Sequence, residues 1–147
     1  MYFKNDAEIR ELVRAFETCE IHPGEFRHYQ HLAVALWYVK QLPYERASEK
    51  MREGIKRLAA AYGKMGYHET ITLFWLLMVR GFLLSATSGS TLFELANTIA
   101  NEFANKNLIG DYYSEETLKS ARAKNEWVEP DLKALSWPHA GKNGQRS

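Results

Sequence analysis

The chain has 147 residues, 46% of them hydrophobic and 25% charged, which is the composition of one globular domain able to bury its own core. Nineteen basic against eighteen acidic side chains leave a formal charge of +1, a balance that argues against electrostatically driven binding to nucleic acid or an anionic membrane, which needs a clustered basic surface. A single cysteine, Cys19, excludes an intramolecular disulfide and reads as a reduced, half-buried thiol of a cytoplasmic protein.

Asn5 and Glu8 have the spacing of a capping box, and Ile9, Leu12, Val13 and Phe16 recur behind them at helical spacing, so a first helix is expected over 6–18. His22-Pro23-Gly24 breaks the chain. A second helix is expected over about 25–41, with Leu32, Ala35, Leu36 and Val39 as its apolar stripe and Pro43 ending it. The third, over about 44–62, carries Ala47, Met51, Ile55, Leu58 and Tyr62 on one face. Glu45, Arg46, Glu49, Lys50, Arg52, Glu53 and Lys56 form the opposite face, which is expected to be solvated. Gly63-Lys64-Met65-Gly66 turns the chain.

The fourth helix, over about 68–85, is apolar nearly all round, from Ile71 through Leu84, and a helix with no polar face must be enclosed by others. It is too short and too interrupted, by Thr72, Arg80 and Gly81, for a membrane span. No signal-peptide pattern opens the sequence. A loop over 87–90 is expected to supply the cap of a fifth helix carrying Leu92, Leu95, Ala96, Ile99 and Phe103. Residues 106–113 read as irregular, and Ser114 caps a short helix that includes Leu118 and Ala121. Pro130 and Pro138 exclude regular structure after Trp127. The expected fold is all-α: a single-domain bundle of five to six helices over 1–132, the helix at 68–85 central, with an irregular, fraying tail over 133–147.

The chemistry concentrates in two segments. His28 and His31, three apart on the second helix, put two imidazoles on one face about 5–6 Å apart at Cβ, a separation that two ligands of one divalent ion span. The same spacing also suits a surface histidine beside a hydrogen-bonded core histidine. Tyr67-His68-Glu69-Thr70 opens the most apolar helix and so places polar groups at the rim of the core. His68 is the candidate third ligand with His28 and His31, for Zn, Ni, Fe or Mn, and Glu69 the candidate catalytic base on bound water. The alternative is that Glu69 and Thr70 serve the orphan amides and dipole of the helix start. Tyr67, Thr70, Thr72, Trp37 and Tyr38 are candidate pocket residues. His22 lies close enough in sequence to swing toward His28, and His139 has no assigned role.

Cys19 has no electropositive neighbours in sequence that would activate it. No phosphate loop, dinucleotide fingerprint or Gly-x-Ser-x-Gly elbow occurs, so no organic cofactor is indicated. Seven Phe, eight Tyr and four Trp fall mostly at core spacing without interleaved basic residues, unlike a base-stacking surface.

The run Phe26-Arg27-His28-Tyr29-Gln30-His31-Leu32, followed by Tyr67-His68-Glu69-Thr70-Ile71-Thr72, resembles the signature of a family of small, uncharacterised bacterial helical proteins. Tyr112-Tyr113-Ser114 and Trp127-Val128-Glu129-Pro130-Asp131-Leu132 extend the resemblance, so it touches most of 26–132. The family pattern often has an acid just before the second histidine, where this chain has Gln30. The resemblance implies a polar site at His28, His31, His68 and Glu69 and names no reaction. Three readings follow: metal-dependent activation of water or a small substrate, a metal-free small-molecule pocket, and a non-catalytic interaction module or homodimer built on Arg122 and the segment 127–132.

Overall fold

The computed structural model describes residues 1–64, 66–86 and 89–135. Its helices are α1 (Asp6–Glu17), α2 (His28–Gln41), α3 (Tyr44–Ala61), α4 (Glu69–Ser85), α5 (Leu92–Glu102) and the short α6 (Glu115–Lys119) and α7 (Ala121–Asn125). Three-residue-per-turn helix adds Pro23–Glu25 and Lys106–Asp111, the latter in the stretch expected to be irregular. No strand occurs among the described residues, and none of their helices is long and apolar enough to cross a membrane.

The apolar stripes dictate the packing. Ile9, Leu12, Val13 and Phe16 of α1 are buried, as are Ala47, Met51 and Leu58 of α3 and Leu95, Ala96 and Ile99 of α5. α4 buries Leu73, Phe74 and the run Leu76–Val79, as an all-round apolar helix must. α2 shares the centre with it: residues Leu32–Leu36 are consecutive and all buried, and α2 packs against α1, α3, α4 and α5. α1 and α3 approach closely at Gly54, where an added Cβ would lie 2.3 Å from the Phe16 ring.

Local chemistry sets the helix ends. Asn5 Oδ1 accepts from Glu8 N–H at 3.0 Å, whereas Glu8 reaches one residue past the capping-box partner to accept from Lys4 N–H at 2.8 Å. α1 closes with Cys19 at φ 61°, with Glu20 N–H donating to Ala15 O and Cys19 N–H to Phe16 O, a Schellman ending. α2 begins three residues later than its apolar pattern suggests, because Pro23–Glu25 first turns on its own. The cap of α5 is Thr91, just past the expected loop, reciprocated by Glu94.

The segment after α7 lies across the chain's own surface. Tyr113 donates its hydroxyl to Val128 O, Leu132 N–H donates to Tyr112 O, and Asp131 accepts from the Ser114 backbone and hydroxyl. Leu135 packs against the core, so the expected tail is still docked at its start. Residues 136–147, with His139, and Thr87 and Ser88 lie outside the described residues.

Candidate functional site

A cavity of about 840 Å³ opens between the first halves of α2 and α4. This volume lies within the range of about 300–1,000 Å³ usual for small-molecule sites. α2 contributes His28, His31 and Ala35, one per turn, and α4 contributes Ile71, Thr72 and Trp75 behind Tyr67 and His68. Met51 and Ile55 of α3 close one side, and Ala100, Ala104 and Lys106 the other. Phe26, Arg27, Tyr29 and Tyr2 finish the front. Tyr2 is held there because Asn97 Oδ1 accepts from both Tyr2 N–H and Phe3 N–H while its amide donates to Phe3 O.

All three candidate ligand histidines therefore line one cavity, each held differently. His28 donates Nε2–H to Phe103 O at 2.9 Å and stands edge-on to Trp75. Burial pushes its pKa down, the Phe103 carbonyl opposes this, and Lys106 adds to the depression. His31 packs over Phe26 at 4.0 Å between ring centroids. Its pKa is pushed down to about 4, first by burial and then by neighbouring His28, against a hydrogen bond to the Phe26 backbone. His68 is the N-cap of α4, its Nδ1 accepting from Ile71 N–H at 3.2 Å while Nε2–H donates to Leu118 O at 2.7 Å. Both its nitrogens are engaged, and the pattern fixes the Nε2–H tautomer.

Glu69 is not part of the cavity lining. Arg52 grips it, Nε donating to Oε1 at 3.0 Å and Nη2 to Oε2 at 2.7 Å, and the Tyr67 hydroxyl donates to Oε1 at 2.6 Å. Burial alone would raise its pKa, but the Arg52 and Tyr67 hydrogen bonds outweigh that and hold it below the usual carboxylate range. Glu69 thus anchors Tyr67, whose ring forms part of the cavity wall. Arg52, read from spacing as part of a solvated face, turns inward to neutralise this buried acid.

The other candidate pocket residues divide. Tyr67 and Thr72 line the cavity, whereas Thr70, Trp37 and Tyr38 are not part of its lining. Thr70 is fully buried and ties α4 to the later chain, donating to Glu126 O and accepting from Val128 N–H. Tyr38 is buried and donates to Glu17. Trp37 packs against the core. His22 accepts from Gly24 N–H, stacks edge-on with Tyr62 and is not part of the cavity lining. Arg27, Lys106, Phe26 and Trp75 are cavity residues that the sequence pattern did not single out by chemistry; Phe26 and Arg27 sit inside the histidine-bearing motif, and Trp75 one turn after Ile71.

Gln30 occupies the third position of α2, where its Oε1 accepts from Arg27 N–H at 2.8 Å. Its side chain therefore serves as a helix-start cap and is not part of the cavity lining.

Among the described residues, no three His, Cys, Asp or Glu side chains converge as a ligand set. In this arrangement His68 is engaged at both nitrogens and Glu69 is committed to Arg52. No protein-family model, curated protein or solved structure matches this chain.

Proposed function

We propose that this protein binds a small organic molecule in the cavity between α2 and α4, with the neutral rings of His28 and His31 as hydrogen-bond acceptors rather than as metal ligands. The observation that carries this reading is the convergence of both histidine-bearing segments on one ligand-sized cavity. The residues that carry the family resemblance belong with it, since Phe26, His28, His31, Tyr67 and His68 all face that space.

The electrostatics favour binding over acid–base catalysis. A general base works best with a pKa near the operating pH. His31, at about 4, is a weak base at neutral pH but an available acceptor, because the neutral imidazole keeps a lone pair on one ring nitrogen. Glu69, held ionised by Arg52, is likewise tuned away from proton transfer and toward fixing Tyr67.

Ala35 lines the cavity and is buried, so Ala35→Phe fills the space from the α2 side. A thermal-shift screen of small aromatic and aliphatic compounds is expected to find stabilisers of the wild type that leave Ala35→Phe unmoved. Compounds acting equally on both proteins would refute the cavity as the site. Stabilisation by Zn or Ni alone, lost in His28→Ala, would replace this reading with the metal-dependent one.

A further inference from the structure

We infer that the cavity selects an amphipathic organic anion, with an apolar body against α3 and α4 and a carboxylate or phosphate group at the edge formed by Arg27 and Lys106. This rests on the reading that the cavity holds a small organic molecule, and it specifies which class.

The charge inventory of the walls is one-sided. Arg27 and Lys106 line the cavity, and no Asp or Glu does so among the described residues. Neither cation forms an ion pair with the described residues, unlike Arg14, Arg46, Arg52, Lys119 and Arg122. Both are exposed, so their charges sit at the mouth and stay hydrated until an anion arrives. Lys106 lies close enough to His28 to act on its protonation, and Lys106 and Arg27 both line the cavity beside it.

Two further features have the same sign. α2 and α4 both begin at this wall, and the first-turn amides of a helix have no helical acceptor and carry the positive end of its dipole. They add to the side-chain cations rather than making a site alone. Deeper in, Met51, Ile55, Ile71 and Leu76 offer only hydrocarbon and sulfur, and Trp75 an aromatic face. A fully polar anion such as inorganic phosphate would leave that surface wet. A neutral apolar ligand would leave two cations uncompensated at the mouth. An apolar body with one anionic group satisfies both ends, and charge-assisted hydrogen bonds from a guanidinium and an ammonium are the stronger kind.

Calorimetric titration of the whole protein with naphthalene-2-carboxylate, 2-naphthyl phosphate, 2-naphthylmethanol and 2-naphthylmethylamine tests this, because the four share a body and differ in charge. One or both anions are expected to bind about tenfold or more tighter than the alcohol, with the amine weakest. That advantage should disappear in Arg27→Gln/Lys106→Gln, whose exposed positions leave the fold intact, and all binding should disappear in Ala35→Phe. An alcohol that binds as tightly as both anions overturns the inference while leaving the cavity as the site. So does an anion advantage that persists in the double variant. If no member of the series binds the wild type, the cavity reading falls and takes the inference with it.

Discussion

His31 couples the site to pH. Its imidazole titrates near 4 when folded and near 6.5 when unfolded, so between these values the unfolded chain binds more protons. The stability it contributes is complete above about pH 6.5 and is lost as pH falls toward 4; His28, also depressed, acts with the same sign. Urea unfolding at pH 7 and pH 5 should show a loss attributable to His31 of about 2 kcal/mol, absent from the pH dependence of His31→Leu. A variant with the wild-type slope would show that His31 is not the group responsible. His68 differs, because its work is structural. His68→Ala removes the cap of α4 and the link to Leu118, and should cost about 1–2 kcal/mol, with His68→Asn recovering the capping part. Glu69→Gln leaves Arg52 half-buried without its charge partner and should lower stability by about 1–3 kcal/mol, measured by the same titration. If either substitution is silent, the hydrogen bonds at this helix start do not hold it.

At the scale of the helices, Gly54 is the sharpest test of how α1 and α3 meet. Alanine is the better helix former by about 1 kcal/mol, but its Cβ would fall inside the contact radius of the fully buried Phe16 ring. Phe16 also stacks on Phe26, so it cannot retreat without disturbing the front of the cavity. Gly54→Ala should therefore lower stability by about 1–2 kcal/mol, read as a fall in Tm, against the gain that propensity alone would give. The amphipathic helices were legible because α1, α3 and α5 each carry one apolar stripe, and the enclosed α4 because it has no polar one. The start of α2 was less legible: Pro23–Glu25 coils on its own, and Arg27 is extended before Gln30 caps it. His68 as a cap was hidden because histidine is not among the usual capping residues. Arg52 was misassigned for a physical reason too. Helical spacing places it among charged neighbours, and only the tertiary position of Glu69 on another helix turns it inward.

On the scale of the whole molecule, the bundle brings the starts of two apolar central helices to one place and leaves a cavity there. The histidines were legible as a set, since helical spacing puts His28 and His31 on one face and the polar start of α4 at the core's rim. Their roles were not legible, because these depend on distant backbone carbonyls: Phe103 for His28 and Leu118 for His68. The two cations of the lining were equally hidden, since Arg27 and Lys106 are far apart in sequence and come to one cavity only through the packing of α2 beside α5. One measurement reads these roles together: long-range 1H–15N correlation of the imidazoles in 15N-labelled protein at pH 7, before and after adding naphthalene-2-carboxylate. The expected spectrum shows His28, His31 and His68 neutral, with His28 and His68 as Nε2–H tautomers, and the ligand shifting His28 and His31 but not His22. Imidazolium or Nδ1–H signals from His68, or cavity histidines that do not respond when the ligand binds, would contradict the account.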